Sequence, residues 1–403
     1  MTEEIEYQPM NVKDILKEMK DTSELMVDLA YSAVLYDDED IAEEVLRLEE
    51  KMDVLEYHAR IAAMLGARRV EEAEELSGIL QIASAAEKVS NAAGDIAKIV
   101  LKKLGLPPEL KAAIPEAEET VTRVRTSGKS PLAGKTLGEL ELETETGMRV
   151  IAMRRDLDWI YDPDKETIVM RDDVLFAKGP DEGVAILYEL ATGDKYQRKP
   201  PAPQALIEDL DKAVDMIIDM KNVSELAVGL AYSAVLFYNE ETAHEVEILE
   251  AKMDEMKYGL EHWVLESAKH VDDVDHLRGL LHLAISSEVI SDAADEIADV
   301  VLRDIELHPV FMLAVRESDE IITRVTVEEH AEIIGKTLGD LRLDTETGMF
   351  VMAIRRADRW IYSPNGKTVI ERGDTLIARG TRDGEELLIE MCSSPESEPS
   401  QAV

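Results

Sequence analysis

The stretch GKTLGELELETETGM (Gly134–Met148) returns as GKTLGDLRLDTETGM (Gly335–Met349), with three of fifteen positions changed and an offset of 201 residues. The same offset carries SELMVDLAYSAVLY (Ser23–Tyr36) onto SELAVGLAYSAVLF (Ser224–Phe237), EKMD (Glu50–Asp53) onto AKMD (Ala251–Asp254), and VTRVR (Val121–Arg125) onto ITRVT (Ile322–Thr326). It also carries WIY at Trp159–Tyr161 onto WIY at Trp360–Tyr362, so no gap is needed between residues ~7 and ~190. Solenoid repeats have periods of about 20–50 residues. A period four times longer is a multi-domain unit used twice. The join, GDKYQRKPPAPQ (Gly193–Gln204), has the prolines and charges of a linker.

Each unit changes character once. In the segment from Val12 to Tyr36, Ile15, Leu16, Met19, Met26, Leu29, Ala30 and Ala33 recur at helical spacing. The chain breaks at Asp37–Asp40, and a second helix opens with acidic residues, as the helix dipole favours. It carries Ile41, Val45, Leu48, Met52 and Leu55. A third, alanine-rich helix is expected from about Val70 to Leu104, ending at Gly105-Leu106-Pro107-Pro108. A fourth is expected from Pro108 to Arg125, completing an antiparallel bundle. The last part of each unit reads as strands: MRVIAMRR (Met148–Arg155) and TIVMRDDVLFAKG (Thr167–Gly179) are short apolar runs between turn residues. In the second unit Asn365-Gly366 signals a type I′ hairpin, whose two central residues need positive φ. The expected fold is therefore two helical bundles, each followed by a small α+β module. The boundaries are 8–126, 131–191, a linker at 192–204, 205–327, 332–392, and a disordered tail at 393–403.

Charge limits the partners. Acidic residues number 86 and basic residues 44, a net charge of −42. Such a chain repels nucleic-acid phosphates and anionic membrane surfaces, so no nucleic-acid partner is expected. Salt screens such self-repulsion, so the charge points to a high-salt cytoplasm such as that of a halophilic archaeon, with an ordinary acidic soluble protein as the alternative. Below about 0.1 M salt the Debye length exceeds about 10 Å. The melting temperature in dilute buffer is therefore expected to fall several degrees below that in molar KCl, and equal values would refute this. Cys392 is the single cysteine, MTEEIEYQPM at the N-terminus has no apolar core, and no apolar run approaches the ~20 residues of a membrane helix. A cytoplasmic protein without direct membrane insertion is expected. There is no Gly-rich phosphate loop, GxSxG or Cys/His pair, so no enzyme is expected.

Two kinds of candidate site stand out. Glu49 and Asp53 lie four apart, on one helix face, and so do Glu87 and Asn91. If the faces meet, they offer oxygen ligands to a hard divalent cation. Copy two supplies Glu250, Asp254, Glu288 and Asp292, all carboxylates, so its site should be the stronger. The competing expectation is a solvated acidic face. Arg154-Arg155 and Arg355-Arg356 end the first apolar run of each module, and guanidinium forks suit phosphate. Adjacent strand residues face opposite ways, so the two members of a pair cannot line one pocket; local ion pairing with Asp156, Asp158 or Asp358 is the alternative. Trp159 and Trp360 are expected as core anchors of the modules. His58 and the seven histidines of copy two make no metal-binding array and are expected at surface or cap positions.

The module pattern GKTLGEL, TETGMRVIAMRR, WIYDP, RDDVLFAKG, with GKTLGDL, TETGMFVMAIRR, WIYSP, ERGDTLIARG in copy two, resembles the C-terminal RCK domain, also called TrkA-C. Copy one has Asp172 where that family usually has glycine. The helical part resembles the PhoU bundle, whose E-x-x-x-D pairs correspond to Glu49/Asp53 and Glu87/Asn91, and in copy two to Glu250/Asp254 and Glu288/Asp292. The combination resembles archaeal proteins related to potassium channels and transporters. The resemblance implies a ligand-sensing regulator whose partner is a membrane cation channel or transporter. It further implies self-association through the RCK modules, as an internal pseudo-dimer or a homodimer, with cyclic di-AMP or a divalent cation as ligand. A divalent-metal-binding or phosphate-signalling adaptor is the alternative, and a regulator of a magnesium-type transporter another.

Overall fold

The structure, a computed structural model, describes residues 10–107, 110, 120–156, 158–161, 163–197, 208–271, 274–318, 320–357 and 359–394. Most of the linker and of the C-terminal tail lies outside these residues, as do residues 111–119 of the expected fourth helix.

Copy one opens with α1 (Val12–Tyr36), α2 (Glu39–Gly66) and α3 (Val70–Leu101). Asn11 caps α1 by accepting from the Lys13 N–H at 3.1 Å. All seven periodic apolar residues of α1 and all five of α2 are buried, so the 3.6-residue stripe is the packed face. Asp37 turns left-handed at the end of α1, and the Asp38 carboxylate then accepts from the N–H groups of Asp40 and Ile41 to start α2. His58 lies inside α2, 4% exposed, not at the surface.

The module follows as β1 (Thr120–Arg125), β2 (Arg149–Arg155), β3 (Asp158–Tyr161), β4 (Val174–Gly179) and α4 (Asp181–Thr192). Copy two repeats the order with α5 (Glu208–Phe237), α6 (Glu240–Ser267), α7 (Asp275–Leu302), the short α8 (Pro309–Arg316), β5 (Ile321–Thr326), β6 (Met349–Arg356), β7 (Arg359–Tyr362), β8 (Thr375–Gly380) and α9 (Arg382–Cys392). One-turn helices at Leu142–Thr146 and Leu343–Thr347 precede β2 and β6.

Two expectations need correction here. Thr120–Arg125, counted with the first bundle, is an edge strand of the sheet, paired antiparallel with β4 from Thr120↔Gly179 to Arg125↔Val174. The β-branched run TVTRV alternates, with Val121 against the bundle and Val124 in the module core. Asn365 and Gly366 do not form a type I′ turn, for neither has positive φ. The hairpin turn sits earlier, at Ala357 (φ 51°), as it does at Asp156 (φ 56°) in copy one. Asn365 instead accepts from the Lys367 N–H at 2.9 Å, and the Gly366 carbonyl takes the Gly339 N–H at 2.9 Å. Asp172 (φ 68°) keeps the left-handed turn that Gly373 (φ 80°) makes in copy two.

Both sheets have the antiparallel order β1-β4-β2-β3, or β5-β8-β6-β7. The central strand β4 is buried along its whole length, because both its faces are covered. Val174 and Phe176 join the core shared with the helices, while Leu175 and Ala177 join the module's own core. The same alternation turns Lys178 toward α1, where it donates to Asp28 at 2.9 Å. Trp159 and Trp360 also pack on the bundle side, Trp159 stacked on Phe176 at 5.1 Å. They anchor each module to its bundle.

The two bundles are not separate. One apolar core includes residues of α1–α3 and of α5–α7. Tyr31 Oη and Ser287 Oγ are 2.9 Å apart, Gln81 donates to the Glu296 carbonyl at 2.7 Å, and the Gly279 N–H donates to the Gly105 carbonyl at 3.1 Å. The module cores, by contrast, are two distinct clusters.

Candidate functional site

The helix faces carrying the candidate carboxylates do meet, and each meeting place contains a lysine. In copy one Lys98 donates to Glu49 at 3.3 Å, and Asn91 donates to Glu87 at 2.6 Å. Burial raises the Glu49 pKa, opposed by Lys98 and reinforced by Asp95 and Asp53. Glu49 packs over Gly94: a Cβ there would lie 2.3 Å from its Oε2. Copy two has Asp295 at that place, with one buried oxygen lacking a hydrogen-bond partner. Its lysine comes from the other helix, Lys257 donating to Glu288 at 2.7 Å. Burial comes first in raising Glu250, followed by the fields of Asp254, Asp292, Asp295 and Glu288. Asp292 is raised by burial and then by Glu288 and Asp254.

Among the described residues, no three His, Cys, Asp or Glu side chains close to metal-holding geometry. Each cluster holds an ammonium, paired with Glu49 in copy one and with Glu288 in copy two. Spacing of the acids showed which faces meet, but Lys98 and Lys257 occupy non-equivalent positions, so comparing the copies did not reveal them. Asp295 and the buried Glu56 were also missed; each lies one turn from a residue singled out.

Repulsion in copy two has a sign that can be checked. A carboxylate whose pKa is raised on folding contributes stability that is present at low pH and lost as pH rises through the raised value. Asp292→Asn, which copies Asn91, is therefore expected to raise the melting temperature at pH 7 by about 1–2 °C, small because the site is solvated. The gain should vanish as pH falls to about 4. A lower melting temperature at pH 7 would show that the repulsion is already relieved.

The arginine pairs split as strand geometry requires. Arg155 forks onto buried Asp173 at 2.9 and 2.8 Å and donates to the Ile168 carbonyl at 2.8 Å. Arg356 does the same with Asp374 at 2.8 Å for both bonds, the Val369 carbonyl at 2.6 Å and Glu371 at 2.7 Å. These two hold the loop before the last strand through the buried carboxylates of Asp173 and Asp374. Of the expected partners, Asp156 adds its field at Arg155, and Asp358 lies outside the described residues. Arg154 reaches Asp40 of α2 at 3.1 Å and lies 5.9 Å over the Trp159 ring, and Arg355 reaches Glu241 of α6 at 2.8 Å. They staple each module to its bundle, as the Tyr161 hydroxyl does by donating to Glu44. Cys392 is buried, and its thiol is pushed up to about 12 by burial.

The two modules face each other within the chain. Leu142–Thr146 packs on Leu343–Thr347. Lys165 pairs with Asp383, and Arg149 with Glu320 at 3.1 Å. Burial raises Glu143, opposed by Arg149 and reinforced by Glu320. The gap between the modules, lined by Glu143, Arg149, Lys178, Glu320, Phe350 and Arg379 among others, is about 40 Å³. Among the described residues no helix is long and apolar enough to cross a membrane.

The TrkA-C domain model matches residues 121–192 and 322–393, and the PhoU domain model matches residues 16–100 and 217–301. A curated relative, the Ammonium/H(+) antiporter subunit AmhM of Alkalihalophilus pseudofirmus, is 21% identical over 126 residues, 31% of this chain and 75% of that protein. Among solved structures, PhoU from Pseudomonas aeruginosa aligns with TM-score 0.39 and 12% identity over 73% of this chain and 96% of its own. The GsuK RCK domain aligns with TM-score 0.18 and 15% identity over 68% of this chain, which spans 63% of that structure. With all four segments matched, the chain carries two PhoU domains and two TrkA-C domains in tandem, a duplication of one PhoU–TrkA-C unit.

Proposed function

We propose that this chain is a regulatory protein of a cation-transport system, potassium above all, and that it senses a ligand through its paired TrkA-C modules. The observation that carries this is the meeting of the two modules inside one chain, each stapled to a PhoU bundle by its own arginine. Tethering keeps the second half of the interface at roughly millimolar effective concentration. PhoU and TrkA-C are regulatory domains, which suits a regulator better than an enzyme. The name of the antiporter-subunit relative supports cation transport as the setting.

A ligand acts here by binding one arrangement of the modules more tightly than another. A gap of about 40 Å³ has room for a water or two. A cyclic dinucleotide such as cyclic di-AMP must therefore part the modules, breaking the Lys165–Asp383 and Arg149–Glu320 pairs. Tagged full-length chain passed over detergent-solubilised membranes in high KCl is expected to retain a cation channel or transporter. Retention of no integral membrane protein would sink the proposal, and a magnesium-type partner would favour that regulator over a potassium one. Thermal shift with cyclic di-AMP, ATP and NAD tests the sensing step, because a ligand of the folded state must raise the melting temperature.

A divalent-metal-binding or phosphate-signalling adaptor is the second reading, favoured by the mutual repulsion of Glu250, Asp254, Glu288 and Asp292. A divalent cation would relieve it by displacing Lys257. Calorimetry with Mg²⁺, Mn²⁺ and Zn²⁺ decides: heats unchanged in Glu288→Ala and Asp292→Ala would end this reading.

A further inference from the structure

The duplication lets one half of the molecule serve as a control for the other. Between α1, the bundle-facing side of β2–β4 and the approach to β5 lies a cavity of about 480 Å³. Small-molecule sites typically span about 300–1,000 Å³. The equivalent place in copy two is about 20 Å³, enough for one water. Among the lining positions that change at the 201-residue offset, Asp28, Arg149 and Ile151 become Gly229, Phe350 and Met352, while Lys17, Glu18, Asp21, Thr22 and Lys178 become Ile218, Asp219, Asn222, Val223 and Arg379. The Met352 sulfur fills the space above Gly229, 2.7 Å from where a Cβ would stand, and Phe350 lines what remains. The same fold is thus built once open and once closed, so the opening is not a demand of the fold.

The walls of the open cavity have a definite chemistry. Leu25, Leu48, Ile151 and the Tyr161 ring supply apolar surface. Of the charged residues lining it, six are acidic and four basic. The basic ones are already engaged: Lys178 with Asp28 at 2.9 Å, Arg149 with Glu320 at 3.1 Å, Lys17 with Asp21 at 3.0 Å and Lys51 with Glu18 at 2.7 Å. The two carboxylates outside these pairs, Glu24 and Asp14, are met by Lys20 at 2.7 Å and Lys13 at 3.9 Å, but neither lysine lines the cavity, so the wall itself carries more acids than bases. Burial raises the Glu24 pKa, and the fields of Glu320 and Asp21 add to it against the opposing Lys20. Successive acids on α1 are one helical turn apart, about 5–6 Å, close to the spacing of ammonium groups along an aliphatic polyamine.

We propose that this cavity is a ligand site kept in copy one and closed in copy two, and that it takes an organic ammonium compound with an aliphatic body, of the di- or polyamine class. The ammonium groups lie against the α1 carboxylates and Glu320, and the methylenes against Leu48 and Ile151. Arg149 and Glu320 also line the gap between the modules, so occupancy reaches that junction. Binding itself needs no transporter and stands apart from the proposed function.

Titration calorimetry of the full chain with spermidine, and with AMP as an anionic probe, tests this in 1 M KCl, where surface attraction is screened within about 3 Å. One equivalent of spermidine is expected to bind, and AMP none. The double variant Arg149→Phe/Ile151→Met brings two of the larger apolar side chains of the closed half into the open one and is expected to bind spermidine at least tenfold more weakly. It is also more acidic than the parent, so non-specific attraction would grow instead. If that variant does not fold, Ile151→Phe fills the space without altering charge and must show the same loss. No spermidine heat, preferential AMP binding, or equal spermidine binding in the filled variant would each overturn the proposal.

Discussion

Replacing Lys178 by methionine is expected to destabilise the chain by about 3–5 kcal/mol, the usual cost of leaving one member of a buried ion pair alone. Lys178 is 9% exposed and Asp28 6%, and their contacts at 2.9 and 3.2 Å join the first sheet to α1. Burial acts to lower the Lys178 pKa, but the carboxylates of Asp28, Glu225 and Glu320 outweigh it and the pKa is raised. A raised lysine pKa means that its contribution persists through neutral pH and is lost only as pH climbs past the raised value. The deficit should therefore be constant from about pH 6 to 9. Adding Asp28→Ala to Lys178→Met removes the stranded carboxylate and should restore much of the loss. Chemical denaturation of the parent and the two variants measures this. A double variant no better than the single would show that packing, not charge, is what Lys178 supplies.

Gly279→Leu should cost about 2–3 kcal/mol, at the upper end for an overpacked contact. In an exposed helix the exchange would gain about 1 kcal/mol; here the sign reverses. A Cβ on Gly279 would stand 2.5 Å from the Gly105 carbonyl oxygen and 2.4 Å from Leu106 Cδ2. The first obstacle is backbone and cannot rotate away. At Gly78, its partner at the 201-residue offset, the three atoms nearest a Cβ all belong to side chains, of Leu307, Ile305 and Val300. Gly78→Leu is expected to cost less. Equal melting temperatures for wild type and Gly279→Leu would mean that the two bundles do not touch at this point in solution.

What was legible in the sequence was local. The buried faces of α1 and α2 followed from a 3.6-residue stripe, and the opposed arginines from strand alternation. TVTRVR was misjudged because six residues beside a strong helix signal carry too little period of their own. Asn365-Gly366 misled because turn propensity yields when the chain is already leaving the sheet edge. Features that depend on distant pairs stayed hidden: Tyr31 and Ser287 are 256 positions apart. The open cavity depends on side-chain volumes at several places that no single window contains. The candidate carboxylates were placed correctly on facing helices, yet the lysines that decide their chemistry enter from outside the motif.

The single core shared by both bundles has a consequence for how the chain is born. Translation proceeds at about 5–20 residues per second, so α1–α3 wait on the order of 10–40 s before α5–α7 emerge to cover them. During that interval the apolar side that will meet α7 faces solvent, and the nascent chain is open to holding by a chaperone or to pairing with another unfinished copy. Contacts this remote in sequence also slow the final closure. Folding of the first half is in this sense provisional until the second half arrives.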